Sequence, residues 1–275
     1  MPVPEPVAFT IFNIDIMWYA ILISIGMVLA TALCCYRAPK FGLTSDQILN
    51  FVIICVPAGI IGARLYYVLF HWNWYADDFF KILNTRAGGL AIHGGLIAGL
   101  GTAVILCYIW KVRPLNLLDL LAPSLALGQA IGRWGNYFNS EAHGGPTDLP
   151  WAITVDGQSV HPTFLYESIW CFLLCLFLLW IDRNRQPDKG RSEPSKSKKK
   201  QGGSRPSAGA SSGAFEGRTI LLYGMLYSLE RFFVEALRTD SLMLGPLKQA
   251  QVISVVIFAV CFVSYIILRR RSRQD

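Results

Sequence analysis

Ten consecutive residues, Gly132-Arg133-Trp134-Gly135-Asn136-Tyr137-Phe138-Asn139-Ser140-Glu141, contain an arginine, two amides and a carboxylate. Their glycines let a ligand or a second backbone come close. A helix cap has no use for all four polar groups, whereas a site for a polar headgroup does. Tyr227, Arg231 and Glu235 follow one another at i, i+4 and i+8, which stacks them on one helix face, with Arg238 one turn further on. The blander possibility is an internal Arg231–Glu235 ion pair that only holds helices together. His93 stands between Gly88-Gly89 and Gly94-Gly95, an irregular backbone from which an imidazole can project into a cavity. His161-Pro162, with Tyr166 and Glu167, reads as a helix entry, since proline suits a first turn, and Glu167 can pair with one of the arginines. Arginines bind phosphate through bidentate hydrogen bonds, and histidine accepts a proton near neutral pH.

The elements that must hold these residues are membrane helices. Of the 275 residues, 53% are hydrophobic and only 16% charged, against about 25% charged in a soluble domain. Mean hydropathy is +0.41. Seven apolar windows, roughly 16–36, 47–70, 89–110, 117–133, 163–181, 219–237 and 250–268, each approach the length of a bilayer crossing. The expected class is an all-α polytopic membrane protein of about seven transmembrane helices, one transmembrane domain over 1–275. An ionisable group inside a span costs about 2.5–3.5 kcal/mol on insertion scales, so Arg64, Asp119 and Glu230 ask for a reason along with the residues above.

The net charge of +7 could suggest nucleic-acid binding, but alternate loops carry 18 of the 25 Lys and Arg. They are Arg37 and Lys40, Lys111 and Arg113, ten residues from Arg183 to Arg218, and Arg269, Arg270, Arg271 and Arg273. The positive-inside rule makes those loops cytoplasmic and no nucleic-acid partner is expected. With seven spans the N-terminus is then outside and the C-terminus cytoplasmic. Residues 1–36 have no Lys or Arg, hence no basic leader region, and the first apolar stretch is expected to stay as a membrane helix. Residues 134–162 read as an outer-side polar segment with a short strand pair around Trp151 to Val160. Residues 184–217 read as a disordered basic cytoplasmic loop, too polar to bury a face. Gly95/Gly99 and Gly128/Gly132 have the spacing that lets helices approach. No Walker, GxGxxG, HExxH or GxSxG motif occurs, and the cysteines form no CxxC pair, so neither a cofactor nor a metal is expected.

Four separated motifs resemble those of the prolipoprotein diacylglyceryl transferase family. The segment from Gly132 to Glu141, with Gly144 following, is similar to the family signature, and Gly88 to Gly95 to its histidine motif. His161-Pro162-Thr163 through Tyr166-Glu167, and Tyr227 through Arg231 and Glu235 to Arg238, match in order and spacing, as does Trp18-Tyr19. Ser228 and Ala20 stand where glycines are usual, and the cytoplasmic loop is unusually long. The resemblance implies a multi-pass enzyme of the bacterial plasma (inner) membrane with its site toward the outer leaflet. It implies transfer of the diacylglyceryl group of phosphatidylglycerol to the thiol of the lipobox cysteine in a prolipoprotein signal peptide, releasing glycerol phosphate. It assigns His93, Arg133, Arg231, Glu235 and Tyr19 to catalysis, and Arg133, Asn136, Asn139, Glu141, Gly144, Tyr227 and Arg238 to substrate binding. The competing class is a secondary transporter, which also places polar residues and glycine-interrupted helices beside a cavity; the two halves of this chain show no obvious inverted repeat.

Overall fold

The computed structural model describes residues 5–76, 78–85, 88–185 and 215–274. In chain order the elements are strands β1 (Val7–Ile11) and β2 (Ile14–Met17), then helices α1 (Trp18–Arg37), α2 (Ser45–Phe70), α3 (Phe79–Leu83), α4 (Ile92–Ile109) and α5 (Pro114–Phe138). Strands β3 (Ile153–Val155) and β4 (Gln158–Val160) precede α6 (Thr163–Ile181) and α7 (Arg218–Leu237), and strands β5 (Met243–Leu244) and β6 (Leu247–Lys248) lead into α8 (Gln249–Arg271). Each strand pair is an antiparallel two-stranded hairpin, so the architecture is helical. The described parts of Met1–Gly42 and Leu118–Asp275 form one compact unit, and those of Leu43–Leu117 a second.

Among the described residues six helices are long and apolar enough to cross a membrane: α1 with the 3₁₀ turn that follows it, α2, α4, α5, α6 and α8. The seventh expected span is helical as α7, but Arg218, Glu230, Arg231 and Glu235 leave it less apolar than the others. Two expectations shift at their edges. The fourth span, expected to end near residue 133, runs on as α5 to Phe138, and Asn139 N–H still donates to the Gly135 carbonyl at 3.1 Å. Residues 7–17, where no strand is expected, form a hairpin whose turn residues Phe12 and Asn13 both have positive φ, the geometry of a type I′ turn.

In the second unit, α2 begins at a reciprocal cap: the Thr44 hydroxyl accepts from Gln47 N–H and the Gln47 side chain accepts from Thr44 N–H. Helices α2 and α4 cross where Gly62 meets Gly94, and a Cβ on Gly94 would run into the Gly62 carbonyl and the Tyr66 side chain. Gly95 and Gly99 lie along the same crossing, opposite Gly59. In the first unit, α1 approaches α5 at Gly26 and Gly128, whereas Gly132 has open space where a Cβ would stand.

One end of the first unit is closed by two buried aspartates. Asp119 on α5 accepts from the backbone N–H groups of Gly217, Thr219 and Ile220, at 2.9, 2.9 and 3.0 Å, and so caps α7; it also pairs with Arg185 at 3.2 Å. Asp182, just past α6, binds Arg37 at 2.7 Å and the Thr219 hydroxyl at 2.9 Å. The chain on either side of residues 186–214 is therefore pinned by the same carboxylates. Most of the expected basic loop, residues 186–214, lies outside the described residues. Because its borders are held independently of it, deleting about 20 residues between Pro187 and Gly213, a stretch too polar to bury a face, is expected to leave nearly unchanged the transfer activity that the resemblance implies. An assay in membranes checks this, and loss of activity in a well-expressed deletion would show a role for the loop.

Candidate active site

The site grows from three helices of the first unit. On α5 the signature places Arg133 toward α6 and α7. Nearby, Trp134 donates to the Ser168 hydroxyl at 3.1 Å, and that hydroxyl donates to the Ala130 carbonyl at 2.7 Å, which ties α5 to α6. Gly135 has a spatial role: a Cβ there would lie 2.5 Å from Cδ2 of Tyr19, so the absence of a side chain admits the Tyr19 ring.

Glu167 on α6 is 1% exposed and binds two arginines from two different helices. Its Oε2 is 2.8 Å from Arg133 Nε, and its Oε1 is 2.6 Å from Arg231 Nη1. Arg231 Nη2 reaches Glu235 Oε2 at 2.7 Å, the i,i+4 pair that the spacing on α7 suggests. Arg133 Nη2 also donates to the Tyr227 hydroxyl at 3.3 Å. Tyr227 stacks on Tyr223, which is anchored by its hydrogen bond to Gln129 at 2.8 Å. Arg133, Glu167, Arg231, Glu235 and Tyr227 are thus one connected cluster. Both arginine side chains are 20% exposed, so they remain open to a ligand on one side while their carboxylate partners are buried.

At the end of α5, Asn136 in its last turn and Asn139 just past it both donate to Oε1 of Glu141, at 2.9 and 3.3 Å, and Glu141 N–H returns to the Asn136 carbonyl. The three residues are one turn that sets the carboxylate in place. Gly144 is buried where backbones meet: its N–H donates to the His161 carbonyl at 2.9 Å, and a Cβ would lie 2.7 Å from Cβ of His161. Thr163 Oγ1 donates to the Ala142 carbonyl. Gly144 and its neighbour Gly145 join the polar segment to the end of α7, where Gly145 N–H donates to the Leu237 carbonyl at 3.0 Å. Arg238 lies at that junction and forks onto Asp240, with Nε and Nη2 donating at 2.9 and 2.8 Å. These two bonds hold the Asp240 carboxyl below the usual carboxylate range.

The first unit contains every residue that the resemblance assigns to catalysis or binding except His93; Arg64, flagged as a charge inside a span, also lies in the second unit. His93 belongs to the second unit, in the first turn of α4, with its ring 6.3 Å from that of Tyr66. Two groups go beyond the sequence reading. Glu167 bridges both arginines rather than pairing with one. Glu230 is 5% exposed and has no hydrogen-bond partner for either carboxyl oxygen among the described residues. Its signal in the sequence was only that of an acid inside an apolar helix.

A helical membrane protein with two arginines clustered around a shared buried carboxylate is fitted to hold an anionic group at a bilayer face. The comparisons agree on the kind of protein. The family model described as prolipoprotein diacylglyceryl transferase matches residues 6–196 and 205–267. Proteins named phosphatidylglycerol–prolipoprotein diacylglyceryl transferase are similar along nearly the whole chain. The one from Clostridioides difficile (strain 630) is 45% identical over 271 residues, 98% of each chain. The one from Finegoldia magna is 43% identical over 253 residues, 92% of this chain and 91% of that one. A third, from Clostridium botulinum (strain Loch Maree), is 41% identical over 281 residues, 98% and 99% of the two chains. The chain belongs to the prolipoprotein diacylglyceryl transferase family.

Proposed function

We propose that this protein transfers the diacylglyceryl group of phosphatidylglycerol to the thiol of a lipobox cysteine in a prolipoprotein, at the outer face of the bacterial plasma membrane. The observation that carries the proposal is the Arg133–Glu167–Arg231 bridge, in a chain whose relatives are named for this transfer. In the reaction the cysteine sulfur bonds to the glyceryl carbon, the bond from that carbon to the phosphate oxygen breaks, and glycerol phosphate leaves with the electron pair. The thiol proton passes to a base. Charge gathers on the departing phosphate, which is where fixed guanidinium donors lower a barrier most. In this reading Arg133 and Arg231 hold the phosphate, Tyr227, Glu235 and Tyr19 support them, and Asn136, Asn139, Glu141, Gly144 and Arg238 shape the headgroup side.

The test is purified protein in phosphatidylglycerol vesicles with a lipobox peptide. A diacylglyceryl mass addition on the cysteine, absent when that cysteine is replaced by serine, is expected. Solute flux without a lipidated product would favour the transport reading instead. The asymmetry of Lys and Arg supports a C-terminus inside and residues 1–15 outside; reporter fusions that put both termini on one side would refute that orientation.

His93 is assigned as the base on the chemistry of imidazole and on its glycine-flanked motif. A base within reach of the thiol proton speeds attack by the sulfur. His93→Gln is expected to be weak at neutral pH and to recover in part as rising pH forms thiolate, a free cysteine having a pKa of about 8.5. An active His93→Gln enzyme with the wild-type pH profile would leave His93 a lipid-orienting residue and move the proton to a carboxylate such as Glu141 or Glu235, or to water.

A further inference from the structure

Arg64 on α2 lies in the second unit and is 6% exposed. A buried guanidinium has five N–H donors to satisfy, and the backbone carbonyls of Lys81, Ile82, Asn84, Gly88 and Gly89 offer one for each. Nε donates to Ile82 at 2.8 Å, Nη1 to Gly88 and Gly89 at 2.8 and 2.9 Å, and Nη2 to Lys81 and Asn84 at 2.6 and 3.0 Å. The guanidinium also faces the Tyr75 ring, 4.9 Å from its centroid. With its donors spent on carbonyls, Arg64 is not built to bind a phosphate. What it does is tie α3 and the later residues Asn84, Gly88 and Gly89 to α2.

That chain leads to His93. Gly88 and Gly89 both have positive φ, 86° and 80°, and a Cβ on Gly89 would run into Arg64 Nη1 and the Tyr67 ring. Two residues later, Ala91 N–H donates to the carbonyl of Ala63, the residue before Arg64, at 3.0 Å, and α4 begins. Six hydrogen bonds from two adjacent residues of α2 therefore set the backbone that delivers His93.

We propose that Arg64 is a positioning residue for the transfer reaction, acting through the carbonyls of Lys81, Ile82, Asn84, Gly88 and Gly89 on the placement of His93 and on nothing else in the chemistry. This rests on the reading of His93 as the base. Lysine keeps the charge but has three donors on a compact ammonium and cannot reproduce a planar five-bond fork.

The experiment is a double-mutant cycle on full-length protein in phosphatidylglycerol vesicles, with kcat, KM for the lipid and Tm measured for Arg64→Lys, His93→Gln and the pair. Arg64→Lys is expected to lower kcat about 10- to 100-fold, the scale of a small misplacement of a reacting group, with KM changed less than about twofold. The double variant is expected to be no slower than His93→Gln alone, as for residues that act as one unit. A purely structural arginine would lower Tm and folded yield while leaving kcat per folded molecule intact. Wild-type kcat in Arg64→Lys, or losses that multiply in the pair, overturns the proposal alone. His93→Gln at the wild-type rate overturns both it and the base assignment. If Arg64→Lys does not fold, Gly89→Ala, which sets a methyl group against Nη1 without altering any charge, takes its place in the cycle with the same expectations.

Discussion

Arg133→Lys is expected to lower diacylglyceryl transfer by about two orders of magnitude at normal expression, and Arg231→Lys by a similar factor, the scale of losing a preorganised donor to a developing anion. Arg133 uses Nε on Glu167 and Nη2 on Tyr227. Arg231 uses Nη1 on Glu167 and Nη2 on Glu235. Each must therefore keep two protein partners and still offer hydrogen bonds to a phosphate. A guanidinium can do so because its donors point in several fixed directions; an ammonium is a point charge and cannot hold the same fork. The measurement is kcat and KM for phosphatidylglycerol in both variants. Near-normal turnover in both lysine enzymes would remove these arginines from phosphate binding.

Glu167→Ala is expected to be the most destabilising single change in the site. Glu167 is 1% exposed and is the shared counter-charge of two guanidiniums. Removing one partner of a buried pair costs about 3–5 kcal/mol, because the other charge is left uncompensated. Each arginine side chain is 20% exposed and gains some relief from water, which puts the expected loss at the low end of that range. Glu167→Ala should lower the Tm of the solubilised protein by several degrees and abolish transfer, while Glu167→Gln, which keeps the shape and one acceptor, should lie between it and wild type. A Glu167→Ala protein with wild-type Tm would show that the bridge does not hold α5, α6 and α7 together.

The helices were legible because a span is written in composition, and the candidate cluster was legible where its members are close in sequence. Arg231 and Glu235 share a turn of α7, so their pair follows from spacing. The bridge at Glu167 does not follow, since it joins residues 34 and 64 positions away and depends on how three helices pack. The same holds for Asp119, which meets the start of α7 about a hundred residues later. The end of the fourth span, expected near residue 133, lies further on because the helix ladder tolerates glycine and Gly135 makes room for Tyr19. Arg64 could be flagged as a costly charge in a span, but its five carbonyl partners are backbone groups of the short helix α3 and of Asn84, Gly88 and Gly89, which no side-chain pattern reveals.

The central claim is that Arg133 and Arg231 together receive the lipid phosphate, and the most direct measurement is an experimental structure of the protein with phosphatidylglycerol bound. The expected result is a phosphate whose oxygens lie about 2.7–2.9 Å from guanidinium nitrogens of both arginines, the range of charge-assisted hydrogen bonds, with the glycerol headgroup toward Asn136 and Glu141. A lipid whose phosphate is held elsewhere, with Arg133 and Arg231 closed on Glu167 alone, would contradict it.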